Sequence, residues 1–204
     1  MIYTSMQSTV RRILIASSGK IFYGYGYGKD KTTAAMPLTV DTRPKPVCWY
    51  GATKLFAEGA AQALAASSDK QVLAVRFAWC PRTKADVDSI KACGSGAGIG
   101  IDEYLSPADA GRFALAATTA ALPADFSFAV LPCCSKSPGV ERWDLSAAKT
   151  LLGWEPLDTF PDGVADILAD NVRGYRGTQG LFSHFTTDDN SGSVKGGPCA
   201  AGGD

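Results

Sequence analysis

Tyr50 and Lys54 stand four residues apart in the stretch Cys48-Trp49-Tyr50-Gly51-Ala52-Thr53-Lys54-Leu55-Phe56-Ala57-Glu58. On a helix that spacing puts both side chains on one face, one turn apart. A free phenol titrates near about 10, and an adjacent ammonium favours the phenolate. The pair is therefore a candidate acid/base couple. Two hydroxyls, Ser17 and Ser18, close a short apolar run at Arg12-Ile13-Leu14-Ile15-Ala16. Sites in open α/β sheets lie beyond the carboxyl ends of strands, so a serine there is placed for function. The plainer role is that one of the two caps the turn.

The elements that must position these groups follow in order. Residues 12–16 read as a strand of a parallel sheet covered on both faces. Ile21 to Gly28 alternates glycine and tyrosine but does not fit a phosphate-binding G-x-G-x-x-G turn. Residues 24–47, with Pro37, Pro44 and Pro46, read as a long surface loop. Residues 49–66 are rich in Ala and Leu without proline and read as a helix. Gln71 to Phe77 is a second strand. Strand, helix and strand make a βαβ unit with parallel strands, which brings Ser18 and the Tyr50/Lys54 pair to one cleft.

Further on, Ala78 and Trp79 leave the second strand, and residues 83–103 read as polar, glycine-rich loop. Ser106 and Pro107 open a helix that runs to about Leu122. Phe126 to Leu131 is a third strand. Asp144 to Leu152 is a short helix closed by Gly153, and a last helix covers about 161–172. Residues 1–176 form one domain in this reading. Residues 177–204 form a flexible tail, with disorder expected from about Thr186.

Composition narrows the function. Hydrophobic residues make up 46% and charged residues 20%, enough for a buried core. A net charge of +0 from 20 basic and 20 acidic residues points to neither nucleic acid nor an acidic membrane. No apolar run is long enough to span a bilayer. The six cysteines and single His184 show no zinc spacing, so no metal is expected. The thiols read as those of a reducing, cytosolic compartment.

Five features in order resemble the extended short-chain dehydrogenase/reductases, the NAD-dependent epimerase/dehydratase family. They are the strand ending Ala16-Ser17-Ser18, the Tyr50-x-x-x-Lys54 pair with Glu58 one turn later, and the strand ending Val75-Arg76-Phe77. Tyr104-Leu105-Ser106-Pro107-Ala108-Asp109 and the closing Ala148–Pro156 segment, with Leu152-Gly153-Trp154-Glu155-Pro156, complete the set. Tyr104–Pro107 and Trp143-Asp144 most resemble the uronate dehydrogenase branch. The resemblance implies an α/β, Rossmann-type doubly wound parallel sheet with a small C-terminal substrate-side region. It implies Tyr50 as general acid/base, Lys54 as its electrostatic partner and ribose ligand, and Ser18 as the residue that orients the reacting hydroxyl. Ser17, Tyr50, Lys54 and Ala78 would meet NAD or NADP, whose nicotinamide would carry the hydride. The substrate would be a sugar or nucleotide sugar. The family commonly dimerises through the helix bearing the Tyr/Lys pair, which implies a homodimer; Ala60, Ala61, Leu64 and Ala65 would give that helix a small-residue face, which either meets a partner or packs inside its own domain. The alternative function is a non-catalytic, truncated remnant that acts through such dimerisation or through cofactor-free binding.

Two departures qualify the resemblance. No strand–glycine-rich turn–helix unit precedes Arg12, so the sheet is expected to be incomplete on the pyrophosphate-binding side, leaving the strand at 12–16 with an open edge. The uronate branch carries Asn-His after the serines, where this chain has Gly19-Lys20. Gly19, Lys20 and Trp79 therefore stand where substrate contacts are expected. Lys20 offers positive charge for a carboxylate or phosphate, or is simply a solvated loop lysine.

Overall fold

Three strands carry the site. β1 (Arg12–Ser18), β2 (Gln71–Phe77) and β3 (Phe128–Cys133) form a parallel sheet in the order β1-β2-β3. The computed structural model describes residues 9–25, 37–94 and 100–169. Arg12 lies opposite Gln71 and Ser18 opposite Phe77, so β1 and β2 end level with each other. β2 is the middle strand. Its Val72, Leu73, Ala74 and Val75 are all buried, the unbroken apolar run expected of a strand covered on both faces.

Alternation along the strands assigns the two faces. Ile13, Ile15, Val72 and Phe128 meet Ala61, Leu64 and Ala65 of α1 (Trp49–Ala66), so these three residues pack inside the fold and are not the dimer face expected of them. Leu73, Val75, Leu131 and Cys133 meet Phe113 and Ala117 of α3 (Pro107–Thr119), Ala148 and Leu152 of α4 (Ser146–Leu152), and Trp154. A satellite cluster joins Val87 and Ile90 of α2 (Lys84–Cys93) to Tyr104 and to Val164 and Ile167 of α5 (Val164–Ala169). The expected α/β architecture with a parallel sheet and a C-terminal side region is the one formed. Among the described residues, no helix is long and apolar enough to cross a membrane.

Several local expectations need correction. Residues 83–103 are not all loop, because α2 occupies Lys84–Cys93. Thr83 and Asp86 form a reciprocal capping box at its start, with the Thr83 hydroxyl accepting from the Asp86 N–H at 3.1 Å. Val87 and Ile90, three apart, give it one buried face. β3 runs two residues later than expected, through Pro132 to Cys133. The described leg 37–47 is not a mere surface loop, since Leu38 is fully buried and bridges Trp143. Cys48, Cys80, Cys133 and Cys134 are free thiols, but Cys93 is disulfide-bonded, against the expectation for that residue. The helix expected at 161–172 begins at Val164. The first eight residues, Gly26–Gly28 and the tail, for which the sequence also carries expectations, lie outside the described residues.

The start of α3 is locked by Asp109, whose side chain is fully buried. Ser106 caps the helix by accepting from the Asp109 N–H at 2.8 Å. The Asp109 carboxylate accepts from the Ser135 hydroxyl at 2.7 Å, the Leu157 N–H at 2.9 Å and the Asp158 N–H at 3.1 Å. Arg112 adds a donor at 2.6 Å. Burial works against the charged form, but these hydrogen bonds outweigh it and hold the carboxyl below its usual range. A depressed aspartate stabilises the fold above its unfolded value, and that contribution is lost as pH falls through the folded value. Asp109→Asn should therefore cost on the order of 2 kcal/mol near neutral pH. The gap to the parent should narrow in urea melts as the pH drops below about 4. A gap independent of pH would show that the carboxylate's charge is not what holds the joint.

Candidate active site

The site grows from the carboxyl end of β1. Successive strand residues face opposite ways, and here they part Ser17 from Ser18. Ser17 is buried, and its hydroxyl donates to Glu58 Oε1 at 2.5 Å. Ser18 is half-buried and caps the 3-10 turn Gly19–Phe22, its Oγ accepting from the Lys20 N–H at 3.2 Å. Ile21 and Phe22 anchor that turn in a cluster with Leu38, Cys134 and Trp143. Gly19 sits hard against this cluster. A Cβ there would lie 2.8 Å from Trp143 Cζ2.

α1 begins beside the same turn. Cys48 is its N-cap, with Sγ accepting from the Gly51 N–H at 3.4 Å. A Cβ at Gly51 would lie 2.8 Å from the Lys20 carbonyl oxygen, so only glycine lets the helix start this close. The approach brings Tyr50 and Lys54 to the end of β1. Lys54 Nζ donates to the Ala16 carbonyl at 2.8 Å and lies 5.5 Å from the centre of the Tyr50 ring. Lys20 Nζ lies 5.4 Å from the same ring and 5.9 Å from that of Tyr23. Tyr50 remains 40% exposed. Partial burial lowers the Lys54 ammonium from the ordinary lysine range.

Ser18, Lys20, Tyr50 and Lys54 thus share one rim, with Gly19 beneath it. Ala78 lies at the neighbouring strand end, its N–H donating to the Cys133 carbonyl at 2.9 Å, and it packs against the Phe22–Trp143 cluster. Trp79 packs against the α2/α5 satellite cluster, and its N–H donates to the Glu103 carbonyl at 2.7 Å. Ser17 is committed to Glu58. Glu58 also receives a two-pronged bond from Arg76, Nε at 2.9 Å and Nη2 at 2.8 Å. This three-residue network was not foreseen. Its signal was Arg76, the one charge in β2, and Glu58, an acid three residues before the buried Ala61 on the inner face of α1. The ring of Trp143 against Gly19 had no local signal.

No protein-family model and no curated protein matches the sequence. Solved structures do match. MoeE5 in complex with UDP-glucuronic acid and NAD has a TM-score of 0.61 and 21% identity, over 80% of this chain and 66% of that one. Glucuronic acid dehydrogenase from Chromohalobacter salexigens has 0.58 and 22%, over 81% and 54%. UDP-glucuronic acid 4-epimerase from Bacillus cereus in complex with NAD has 0.62 and 16%, over 84% and 64%. At these identities the likeness establishes the fold, a Rossmann-type α/β sheet as in dehydrogenases and epimerases. The chain spans only 54–66% of the lengths of these three proteins.

The glycine at the mouth of α1 gives a sharp comparison. Gly51→Ala should destabilise the chain by about 1–3 kcal/mol, because its new methyl meets backbone that cannot yield. Gly59→Ala, on the outer face of the same helix with nothing within 4 Å, should be neutral or stabilise by up to about 1 kcal/mol. Urea melts of both variants check the pair. Equal effects would mean that α1 does not rest on the Lys20 carbonyl.

Proposed function

We propose that the chain carries the catalytic face of an NAD(P)-dependent oxidoreductase or epimerase/dehydratase of the extended short-chain family, acting on a sugar or nucleotide sugar. The observation that supports this most is the convergence on one rim of Ser18, Tyr50 and Lys54 at the carboxyl end of β1. In this reading Tyr50 exchanges a proton with the substrate hydroxyl or carbonyl. Lys54 is held by the Ala16 carbonyl with donors to spare, which suits it to hydrogen-bond a ribose as well. Ser18 orients the reacting oxygen, and Gly19 and Lys20 border the sugar. Trp79 faces the satellite cluster, which favours a supporting role for it over direct contact. Ser17 acts on the cofactor side only through Glu58.

NAD or NADP fits the nicotinamide end, where Tyr50, Lys54 and the backbone around Ala78 would hold it. Among the described residues no glycine-rich strand-to-helix turn is present for its pyrophosphate. When bound, the nicotinamide would accept or donate the hydride that no side chain can. Tyr50→Phe should lower NAD(P)-linked turnover of sugar substrates by about 10²–10⁴-fold, with Ser18→Ala lowering it less. Turnover that survives Tyr50→Phe would remove the reading, as would failure of NAD and NADP to bind by calorimetry.

A second reading is supported by the outer face of α1, where Trp49 is 84% and Phe56 77% exposed, with Ala52, Thr53, Gly59 and Ala63 between and beyond them. Such a face suits a homodimer through α1, with or without catalysis. Sedimentation should show a dimer that Trp49→Glu together with Phe56→Glu converts to monomer. A monomeric parent at high concentration would exclude it.

A further inference from the structure

Two ammoniums flank Tyr50, and they are held differently. Lys54 spends a donor on the Ala16 carbonyl at 2.8 Å. Lys20 is exposed and rests on two ring faces, Tyr50 at 5.4 Å and Tyr23 at 5.9 Å. Ring faces attract a cation without using its N–H groups as conventional donors. Among the described residues neither lysine makes an ion pair. The acids nearby are spoken for. Glu58 is bonded to Arg76, and Glu103 to Arg142 at 2.6 Å. Both of those pairs are buried and internally neutral, so the rim keeps the charge of its two lysines. The Lys20 backbone is fixed as well, by the Ser18 cap on its N–H and the close approach of Gly51 to its carbonyl.

We propose that Lys20 is a specificity-determining residue that seats an anionic group of the substrate, a carboxylate or a phosphate, beside Tyr50. This rests on the reading of the rim as a sugar site and goes beyond it by naming the charge the sugar must carry and the side chain that meets it. An ammonium already oriented by two rings loses little freedom on binding, and a charge-assisted hydrogen bond to an anion is among the stronger contacts a side chain makes. A neutral sugar leaves those donors to water.

The test is binding, so turnover plays no part in it. The purified chain, with its tyrosine rings isotopically labelled, is titrated with glucuronate, glucose 1-phosphate and glucose while the Tyr50 ring signals are followed by NMR. At least one charged sugar should bind at least about tenfold tighter than glucose. Which of the two does so distinguishes carboxylate from phosphate. Lys20→Met should bring charged and neutral sugars within about twofold, while Lys20→Arg should keep most of the preference. Equal binding of charged and neutral sugars by the parent, including no detectable binding of either, overturns the proposal, and so does a preference that survives Lys20→Met. A preference in the parent that Lys20→Met abolishes, found beside an active Tyr50→Phe variant, would instead remove the acid/base role and leave the anion seat standing.

Discussion

The structure depends on one buried ion pair. Arg76 in the middle strand and Glu58 in α1 are both almost wholly shielded from water, which is costly for either charge alone. Every strong demand of the two is met. Glu58 takes two N–H groups from Arg76 and the hydroxyl of Ser17. Arg76 also reaches the Val40 carbonyl at 3.4 Å and lies 4.8 Å over the ring of Phe22. The pair thereby ties together β1, β2, α1, the leg through Leu38 and Val40, and the 3-10 turn after Ser18. Removing one partner would strand the other, a defect that typically costs about 3–5 kcal/mol.

That pair also sets the rotation of α1. Residues four apart on a helix drift by about 40° per step. Tyr50, Lys54 and Glu58 form such a series, and their exposure falls along it, from open to half-buried to buried. With Glu58 clamped beneath the sheet end, Lys54 must lie at its edge and Tyr50 beyond it. A tyrosine left partly open to solvent and a lysine that reaches the Ala16 carbonyl follow from where Glu58 is held. Gly51 then lets this stripe approach the turn that carries Lys20.

Much of this was legible in the chain itself. β1, α1 and β2 announce themselves by apolar runs and an uninterrupted helical composition, and their order alone brings Ser18 and Tyr50 to one place. Reading failed where a local signal pointed the wrong way. Pro132 looks like the end of a strand, yet β3 is an edge strand among the described residues and carries a proline within it. The lysines and aspartates of 84–93, followed by glycines, look like loop until the Thr83–Asp86 box and the Val87–Ile90 spacing are weighed together. Other features have no local signature. That Gly19 must be glycine is decided by a tryptophan more than a hundred residues away, and that Ser17 serves Glu58 is decided by which face of β1 it occupies.

A second buried pair completes the electrostatic picture. Arg142 donates to Glu103, and burial pushes that carboxyl up while Arg142 pulls it part of the way back. The Arg142 carbonyl accepts from the Leu38 N–H at 2.7 Å, and the Leu38 carbonyl accepts from the Asp144 N–H at 2.9 Å, which fixes Trp143 as the far wall behind Gly19. Phe22 lies between the two pairs, under Arg76 and 5.5 Å from Trp143. Each pair cancels its own charge at a distance, because opposite charges in contact leave only a short-range dipole. Four charged side chains thus build the walls of the cleft without setting its sign. The sign is left to the two lysines, one tied to the sheet by the Ala16 carbonyl and one carried on the capped turn after Ser18. Separating the charges that hold the fold from those at the open rim lets Lys20 vary in kind without disturbing the frame beneath it.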